Sequence, residues 1–510
     1  MAQINVNHLT FYYEGGFDNI FEDVSFSIDT NWKLGFIGRN GKGKTTFLNL
    51  LLGKYEYLGS ITTNTVFDYF PYQVEQANHT KSAAELMEQW KPGVESWRVL
   101  CELSALSIDA ELLYRPFDTL SFGERTKIML AVLFSGENDF LLIDEPTNHL
   151  DGEARAIVKE YLASKKGFIL VSHDRDLLDA CIDHVLVLNR ATIEVQAGNF
   201  STWWDNKEKA DNFARGENEK HLKEIHKLKE SAERTGRWAE KSENTKIGFD
   251  PVKEHDRSIA TRSYIAAKTK KMQARASSYK ERMEREIDQK EGLLKDIEEP
   301  VNLKIMPMVH YRKNLIRVSD YSLRYPDAPF PVFEGLNFEI NQGERVFLSG
   351  GNGCGKSSVI KTLLQKAGAW TEEKPFRIEE SGTFEVAGNL VLSYINQDTS
   401  QLRGSLKDYA RQKNLDYSLL LALLRQLDFE RGQFDRKMED FSEGQKKKVL
   451  IAASLITPAH LYIWDEPLNY IDIFSRMQIE RLIEQYRPTM LLVEHDVRFR
   501  EKIATRIVEM

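Results

Sequence analysis

The sequence is poor in cysteine and contains no long apolar run. Its three cysteines, Cys101, Cys181 and Cys354, are odd in number and far apart, which argues against a disulfide framework and against a zinc site. No stretch approaches the roughly 20 apolar residues that a membrane-spanning helix needs, and the first residues lack the apolar core of a signal peptide. We therefore expect a cytoplasmic protein without a membrane segment.

An excess of positive charge is also missing. The net charge is −8, and affinity for a nucleic-acid backbone comes from Lys and Arg, so the charge of the whole chain does not indicate a nucleic-acid binder. Because 510 residues exceed what one hydrophobic core supports, we expect two domains and a connecting element. Charged residues make up 29% and aromatic residues 11%, as in ordinary globular proteins.

The chain repeats itself. The spacing from Tyr13 to Lys44 equals the spacing from Tyr325 to Lys356, 31 residues in both halves, and in each half an apolar stretch leads into a glycine-rich turn. The residues between the halves are rich in Lys, Glu, Arg, Ala and Gln and poor in Pro, which favours helix. The predicted parts are two α/β domains and a helical linker of two antiparallel helices: 1–204, 301–510 and 205–300.

The two glycine-rich turns, GRNGKGKT and GGNGCGKS, fit the P-loop pattern G-x-x-x-x-G-K-[ST]. Glycines let successive backbone N–H groups point at phosphates, the lysine reaches the β- and γ-phosphates, and the hydroxyl ligates Mg²⁺. One match could be a coincidental turn, but two at duplicated positions argue against coincidence. The predicted ATP-binding residues are Gly38, Asn40, Gly41, Gly43, Lys44, Thr45, Thr46, Gly350, Asn352, Gly353, Gly355, Lys356, Ser357 and Ser358.

Each half then places two acids at the end of an apolar strand and a histidine after the next apolar strand. We predict that Asp144 and Asp465 hold the metal through water, and that the glutamates orient or deprotonate the water attacking the γ-phosphate. A lone acid pair or histidine more often has a structural role, but the matching order in both halves favours catalysis. The predicted catalytic residues are Glu145, Glu466, His173 and His495.

The segments LSFGERTK and FSEGQKKK each place a serine 24 residues before the glutamate. With them, the ordered set resembles the ABC ATPases: Walker A, glutamine loop, signature, Walker B, D-loop and histidine switch. The resemblance covers both halves and implies that the signature of one cassette grips the ATP bound to the other. It adds adenine-stacking tyrosines, glutamines and signature residues: Tyr13, Tyr325, Gln73, Gln397, Ser121, Gly123, Glu124, Ser442, Gly444 and Gln445. The implied metal-binding set is Thr45, Gln73, Asp144, Ser357, Gln397 and Asp465.

Both signatures depart from the family pattern. The first has Phe122 and Glu124 in place of Gly and Gln, and the second has Glu443 in place of Gly. Because the serine and second glycine remain in both, we expect each signature still to grip ATP. The first D-loop region reads EPTNHLD and the second EPLNYID, a difference that predicts unequal hydrolysis rates at the two sites.

A tandem pair of cassettes with a helical linker and no membrane helix resembles the ABC-F group of ribosome-associated ATPases. The two linker helices are predicted to pack along one seam formed by apolar residues at helical spacing: Phe213, Leu222, Ile225 and Leu228, then Ile265, Met272, Tyr279, Met283, Ile287, Leu294 and Ile297. Gly248 and Pro251 break the pattern, which predicts a tip near residues 244–259. The first helix, of about 39 residues, would extend roughly 60 Å.

The linker carries a net charge of +2 over residues 205–300, and no acid lies between residues 257 and 280. Such a stripe, with Tyr264 and Tyr279 interleaved, suits contact with RNA phosphates and bases. The alternative is a solvated helix face. The candidate tip and RNA-contact residues are Lys246, Phe249, Lys253, His255, Arg257, Arg262, Lys268, Lys270, Lys271 and Arg275.

The short spacing from Gln73 to Ser121, the EPLNY variant and a chain end 15 residues after His495 resemble the antibiotic-resistance branch of ABC-F, the Lsa-like proteins. The resemblance implies a monomer that closes on ATP, enters the ribosomal E site, contacts large-subunit rRNA and P-site tRNA, and displaces lincosamides, pleuromutilins and group A streptogramins. The alternatives are a housekeeping ABC-F translation ATPase and the ATPase subunit of an exporter. A non-hydrolysing module is disfavoured, since both glutamates are present.

Overall fold

The computed structural model describes most of two α/β cassettes and part of the linker between them. The described residues are 3–13, 19–75, 78–137, 139–148, 150–189, 191–247, 270–271, 274–275, 277–279, 281–283, 307–326, 328–370, 377–427, 429 and 431–510. Contacts divide the chain into two units, one made of Met1–Trp203 with Pro300–Met510 and the other of Trp204–Glu299. The domain boundaries at 204 and 300 stay predictions.

The first cassette contains a mainly parallel sheet and a smaller antiparallel sheet. Its strands are β1 (Gln3–Phe11), β2 (Phe21–Asp29), β3 (Lys33–Ile37), β4 (Leu58–Thr62), β5 (Val66–Phe70), β6 (Asp139–Asp144), β7 (Phe168–Val171), β8 (His184–Leu188) and β9 (Ile193–Ala197). The larger sheet has the order β5-β6-β7-β3-β8-β9, with β9 antiparallel to β8. The smaller sheet has the order β2-β1-β4.

Helices pack around these sheets. They are α1 (Lys44–Leu51), α2 (Ala83–Trp90), α3 (Ser96–Ala105), α4 (Phe122–Phe134), α5 (Gly152–Ser164) and α6 (Arg175–Cys181). Short 3-10 turns lie at Ala110–Tyr114 and Phe117–Thr119. The buried ring of Phe47 on α1 lies edge-on to Phe21 on β2 and to Phe36 on β3, with ring centroids 6.0 and 5.5 Å apart. Helix α1 is thereby anchored between the two sheets.

The second cassette repeats this plan. Its strands are β10 (Asn314–Arg324), β11 (Phe333–Asn341), β12 (Arg345–Ser349), β13 (Glu379–Val386), β14 (Leu392–Ile395), β15 (Leu461–Asp465), β16 (Met490–Val493) and β17 (Arg506–Glu509). The parallel sheet has the order β14-β15-β16-β12-β17, and the antiparallel sheet has the order β11-β10-β13. The helices, numbered after the linker helix α7 (Phe200–Ile247), are α8 (Lys356–Lys366), α9 (Leu406–Gln412), α10 (Tyr417–Gln426), α11 (Glu443–Ile456), α12 (Ile473–Tyr486) and α13 (Val497–Ile503). Two α/β cassettes on one chain confirm the predicted fold class.

The central strands are continuous apolar runs because the sheet is covered on both faces. Every residue of β7 is buried, as is every residue of β15 and β16. The parallel register pairs Asp144 with Val171 in the first cassette and Asp465 with Val493 in the second. The loops that follow these strands therefore leave the sheet at the same edge, which is where ligands bind in open α/β sheets.

The linker helix α7 has 48 residues, from Phe200 to Ile247, and is longer than predicted. At about 1.5 Å per residue it extends roughly 72 Å. The described residues between 270 and 283 are also helical. The hydroxyls of Ser231 and Tyr279 lie 3.1 Å apart, which joins this second segment to α7.

The predicted apolar seam of the linker is partly wrong. Ile225 and Met283 are buried, but Phe213 and Leu222 are exposed. Eleven residues span about three helical turns, so the buried Ala214 lies on the same face as Ile225, whereas Phe213 is turned away from that face by about 100°. The other predicted seam residues, apart from the half-buried Leu228 and the exposed Tyr279, lie outside the described residues: Ile265, Met272, Ile287, Leu294 and Ile297.

Most of the predicted tip also lies outside the described residues. This holds for Phe249, Lys253, His255, Arg257, Arg262 and Lys268. The backbone of Lys246 belongs to the last turn of α7, and Lys270, Lys271 and Arg275 are exposed on the second helical segment. Among the described residues, no helix is both long and apolar enough to cross a membrane.

A buried ion pair joins the two cassettes. Arg175, the first residue of α6, donates two hydrogen bonds to the carboxylate of Glu480 on α12, one of them from Nη1 at 3.2 Å. The side chain of Glu480 is fully buried and also lies 3.5 Å from Lys502 Nζ. The equivalent positions in the duplicated plan hold Val497 and Lys159. Val497 and Lys159 therefore cannot form the equivalent ion pair.

Replacing Arg175 with Ala should destabilise the paired cassettes by about 3 kcal/mol, because it leaves the buried charge of Glu480 with only the partly exposed Lys502. Urea unfolding measures the change. The matched control is Arg317→Ala, since Arg317 pairs with Glu339 at 2.9 Å on the exposed surface and should cost less than about 1 kcal/mol. Equal losses in the free energy of unfolding for the two variants would contradict the assignment of Arg175 and Glu480 as a buried ion pair.

Candidate active site

The first P-loop follows β3 and curls around its own lysine. Gly41 and Gly43 have φ angles of 76° and 108°, a region that side chains rarely adopt. A Cβ atom on Gly43 would also lie 2.5 Å from Ile20 Cγ2. Lys44 Nζ donates to the backbone oxygens of Gly38 and Arg39 at 2.7 and 3.1 Å. The loop thus concentrates backbone N–H groups and a buried ammonium at the N-terminus of α1, as phosphate binding requires.

The second P-loop has the same geometry after β12. Gly353 and Gly355 have φ angles of 82° and 102°. Lys356 Nζ donates to the backbone oxygens of Gly350 and Gly351 at 2.9 and 2.8 Å. A Cβ on Gly355 would lie 2.7 Å from Val332 Cγ1. Both loops therefore form a cradle that a side chain would fill.

Each predicted adenine-stacking tyrosine reaches the P-loop helix of its own cassette. Tyr13 OH lies 2.8 Å from Thr46 Oγ1, and Tyr325 OH lies 2.8 Å from Ser358 Oγ. Tyr13 also contacts Phe11 edge to face, with centroids 5.1 Å apart. Both tyrosine rings are partly exposed, so each has solvent-accessible aromatic surface beside the P-loop.

The predicted metal ligands meet in pairs. Thr45 Oγ1 donates to Asp144 Oδ2 at 3.0 Å, and Ser357 Oγ donates to Asp465 Oδ2 at 3.2 Å. Burial and the neighbouring Glu466 raise the pKa of Asp465 to about 6. A nearby cation would offset this cost of a buried charge. Hydroxyl and carboxylate oxygens are the donors that Mg²⁺ prefers, so these pairs fit the ion.

Both predicted catalytic glutamates have a strained backbone. Glu145 and Glu466 have φ angles of 51° and 48°, which costs a non-glycine residue about 1–2 kcal/mol. Each is held there by its neighbouring strand, because the N–H of Glu145 donates to Val171 O and that of Glu466 to Val493 O, both at 2.9 Å. Strain of this kind is common where a side chain must be aimed at a reaction centre.

A histidine faces each glutamate. His173 Nε2 lies 3.3 Å from Glu145 Oε1, and His495 Nε2 lies 3.7 Å from Glu466 Oε1. Burial lowers the pKa of His173 well below its usual range and that of His495 to about 4, so both rings are neutral at pH 7. Burial and the adjacent Asp144 raise the pKa of Glu145 to about 8.

Two buried polar atoms at these sites accept or donate no hydrogen bond among the described residues: Glu145 Oε1 and His495 Nε2. Buried polar atoms normally have partners, so those without one are expected where a ligand or water completes the set. Both atoms lie beside a P-loop cradle, which fits a bound nucleoside triphosphate and its attacking water.

Each signature is the N-terminal capping box of a helix. Ser121 caps α4 and exchanges hydrogen bonds with Glu124, and Ser442 caps α11 and exchanges hydrogen bonds with Gln445. In both boxes the side chain three residues on accepts from the serine N–H, at 2.7 Å for Glu124 and 2.9 Å for Gln445. Glutamate and glutamine fill this position equally well, which explains why the first signature tolerates Glu124.

The signatures lie against the opposite cassettes. A cavity of about 500 Å³ is lined by Phe122, Leu150 and Arg155 from the first cassette. The lining residues from the second cassette include Tyr325, Asn352, Lys356, Ser357, Gln397, Glu466 and His495. On the other side, Asn40 Nδ2 donates to Tyr470 O at 2.7 Å and lies 3.5 Å from where a Cβ of Gly444 would be. The two halves of each predicted composite site are thus adjacent.

The two glutamine loops differ. Gln397 Nε2 donates to Glu466 Oε2 at 2.7 Å, whereas Gln73 is exposed and makes no hydrogen bond to another described residue. In the first site, Tyr69 OH instead donates to Asp144 Oδ2 at 3.1 Å. Burial and Asp144 raise the pKa of Tyr69, so its hydroxyl stays protonated. The role of Gln73 as a metal ligand stays a prediction.

Sequence reasoning missed several residues at these sites. Asn469 Nδ2 donates to Glu466 Oε2 at 2.8 Å, and the fully buried Asp472 accepts from Lys448 Nζ at 2.8 Å beside the first site. The place of Asn469 within EPLN was a signal that could have found it. Nothing in the sequence indicated Tyr69, because its position depends on the pairing of β5 with β6.

Known proteins share this arrangement. The family model described as ABC transporter matches residues 21–148 and 333–469. The chain belongs to the ABC transporter family. Its two ABC cassettes identify it as an ATP hydrolase, which confirms the predicted enzyme class.

Ribosome protection protein VmlR of Bacillus subtilis is 28% identical over 96% of this chain and 84% of VmlR. ABC transporter F family member 2 of Arabidopsis thaliana is 24% identical over 99% of this chain and 76% of that protein.

Solved structures share the tandem ABC fold. A chain in the complex of archaeal ribosomal stalk protein aP1 with archaeal ribosome recycling factor aABCE1 matches with a TM-score of 0.60, at 19% identity, over 98% of this chain and 87% of that one. RNase-L Inhibitor matches with a TM-score of 0.60, at 18% identity, over 99% of this chain and 87% of that one.

Gly43→Ala should weaken ATP binding and lower thermal stability, because the new Cβ combines a left-handed φ with a 2.5 Å approach to Ile20. The strain costs about 1–2 kcal/mol and the crowding about 1–3 kcal/mol. Gly41→Ala is the matched control, since it has φ 76° but nothing within 4 Å of its Cβ position. Titration with a fluorescent ATP analogue and thermal unfolding measure both effects. Equal losses in the two variants would show that backbone strain alone matters.

Proposed function

We propose that the chain is an ABC-F type ATPase that protects the ribosome from antibiotics. In this proposal it binds the ribosomal E site and displaces lincosamide, pleuromutilin or streptogramin A drugs from the peptidyl-transferase centre. The observation that carries the proposal is the similarity to VmlR, a ribosome protection protein, which runs through both cassettes and the linker over 96% of the chain.

The site geometry supports a division of roles in hydrolysis. Lys44 and Lys356 would hold the β- and γ-phosphates, and Glu145 and Glu466 would orient or deprotonate the attacking water. In the tautomer with the proton on Nε2, the neutral histidines can donate a hydrogen bond to a γ-phosphate oxygen. The metal would be held by these groups: Thr45, Asp144 and Gln73 in the first site, and Ser357, Asp465 and Gln397 in the second. A Mg²⁺ ion there would neutralise charge on the phosphate oxygens.

The linker supports contact with ribosomal RNA and with tRNA in the P site. Lys270, Lys271 and Arg275 are exposed on the second helical segment, within the row of residues 257–280 that contains no acid. Exposed cations of this kind bind phosphates and release counterions, which gives affinity without sequence specificity. The preceding helix α7 is 48 residues long, so its length suits an element that carries the tip to a distant site.

A housekeeping translation ATPase is the second candidate. It is supported by relatives that match a similar share of the chain and whose names state no protective role, such as ABC transporter F family member 2. Expression in a drug-sensitive bacterial strain separates the two: raised inhibitory concentrations favour protection, and unchanged ones favour the housekeeping function. The third alternative, the ATPase subunit of an exporter, predicts lower drug accumulation in cells and co-purification with a permease.

The double variant Glu145→Gln, Glu466→Gln should bind ribosomes stably in ATP, because it would close on ATP without the hydrolysis that reopens the cassettes. Ribosome co-sedimentation measures the bound fraction, with ADP in place of ATP as the control. A double variant that stays unbound in ATP would overturn this order of events.

Purified protein should restore cell-free translation inhibited by a lincosamide, and neutralising the linker cations should reduce the rescue. The variant is Lys270→Ala, Lys271→Ala, Arg275→Ala, and the matched control removes three exposed charges from α7, namely Lys220→Ala, Lys223→Ala, Lys227→Ala. The slope of the logarithm of ribosome affinity against the logarithm of salt concentration should become shallower by about one per lost phosphate contact, in the first variant only. If the wild-type protein restores no translation at any concentration, the result would favour the housekeeping function.

A further inference from the structure

The second signature helix, α11, is tied to the glutamine loop of its own cassette, residues 396–400. Thr399 Oγ1 donates to Glu443 Oε2 at 2.5 Å. Lys447 Nζ donates to Asn396 O at 3.2 Å and to Glu466 O at 3.3 Å. Two side chains one turn apart on α11 therefore hold both ends of the loop segment that contains Gln397.

The bonds of Lys447 are protected from water, whereas the side chain of Glu443 is half exposed. Lys447 is 2% exposed and Thr399 is 5% exposed, and Glu443 also accepts from Lys446 Nζ at 3.0 Å. Hydrogen bonds that involve an ionised group are stronger than those between neutral groups, and they gain further in a low-dielectric interior. The buried bonds of Lys447 therefore make the connection stiff, and a movement of the loop should move the N-terminus of α11.

The two ends of this connection face different ATP sites. The N-terminus of α11 places Gly444 against Asn40 of the first P-loop. The glutamine loop contributes Gln397 to the wall of the second site, with Lys356 and Glu466, and Gln397 donates to Glu466 at 2.7 Å. The bonds of Glu443 and Lys447 thus join parts of the second cassette that lie at two separate predicted ATP sites.

The first cassette lacks the side chains for the same connection. Phe122 occupies the position of Glu443 and has no carboxylate, and Thr126 occupies the position of Lys447 and has no ammonium group. Phe122 instead lines the second ATP site, and the guanidinium of Arg125 lies 5.6 Å from its ring centroid. Phe122 and Thr126 therefore cannot form the equivalent of this connection in the first cassette.

We propose that Glu443 and Lys447 are positioning residues that couple the two ATP sites through the second cassette. ATP at the second site holds the glutamine loop, the loop holds the N-terminus of α11, and α11 then presents Ser442 and Gly444 to ATP at the first site. Because equilibrium coupling is reciprocal, binding at either site raises the affinity of the other by the same factor. This coupling concerns the ATPase itself and does not depend on the ribosomal target.

The test measures cooperativity of ATP binding in the full chain carrying Glu145→Gln and Glu466→Gln, which prevents hydrolysis. Equilibrium binding of a fluorescent ATP analogue should give a Hill coefficient clearly above 1, corresponding to a coupling factor of roughly 5 to 150. Adding Lys447→Met, which keeps the length of the side chain but removes its charge, should lower the Hill coefficient to about 1 by removing that coupling.

A second measurement separates positioning from a general structural effect. Lys356→Ala in the Glu145→Gln background leaves only the first site able to bind, and there Lys447→Met should leave the affinity unchanged within about twofold, because no second nucleotide is coupled to it. Thr126→Val is the matched substitution in the first cassette and should leave cooperativity intact. Thr399→Val removes the hydrogen bond from Thr399 to Glu443. It replaces Lys447→Met in the test if Lys447→Met lowers the melting temperature.

The proposal is overturned by a Hill coefficient of 1 in the starting protein, or by one that persists in both Lys447→Met and Thr399→Val. It is also overturned if Lys447→Met weakens the isolated first site as much as it weakens the paired sites, since that result assigns Lys447 a purely structural role.

Discussion

The parallel register of the central strands is the constraint on which both sites depend. In each cassette the strand that ends in the acid pair lies beside the strand that precedes the histidine, and the P-loop strand lies next to that one. Since parallel strands end at the same edge, three loops distant in sequence meet there. The same register fixes the backbone of Glu145 and Glu466 through one hydrogen bond each to the neighbouring strand. The strained φ angles that aim these carboxylates are consequences of the sheet.

A duplicated chain need not have two equal halves, and the cassette interface of this protein shows where they differ. Arg175 and Glu480 form a buried ion pair whose equivalent positions, Val497 and Lys159, cannot form one. The net stability gained from a buried pair of this kind is limited, because desolvation offsets much of the attraction. The bonds of Glu443 and Lys447 add a second one-sided feature.

The asymmetry also reaches the ATP sites. Asp144 receives a hydrogen bond from Tyr69, whereas Glu466 receives hydrogen bonds from Gln397 and Asn469. The two carboxylate sets are therefore held by different hydrogen-bond donors, although the P-loops are nearly the same. This difference gives a physical basis for unequal hydrolysis at the two sites, which the D-loop sequences predict.

The amino-acid sequence by itself determined the duplicated plan, the two P-loops and the position of each acid pair and signature. These features are local: a glycine with positive φ, a capping serine or an apolar strand is specified by a few neighbouring residues. Tertiary structure alone decided that Tyr69 reaches Asp144, that Arg175 pairs with Glu480, and that Phe213 and Leu222 face away from the linker seam. Such contacts depend on strand order, on cassette docking and on the rotation of a long helix, where a shift of one residue turns a side chain by about 100°.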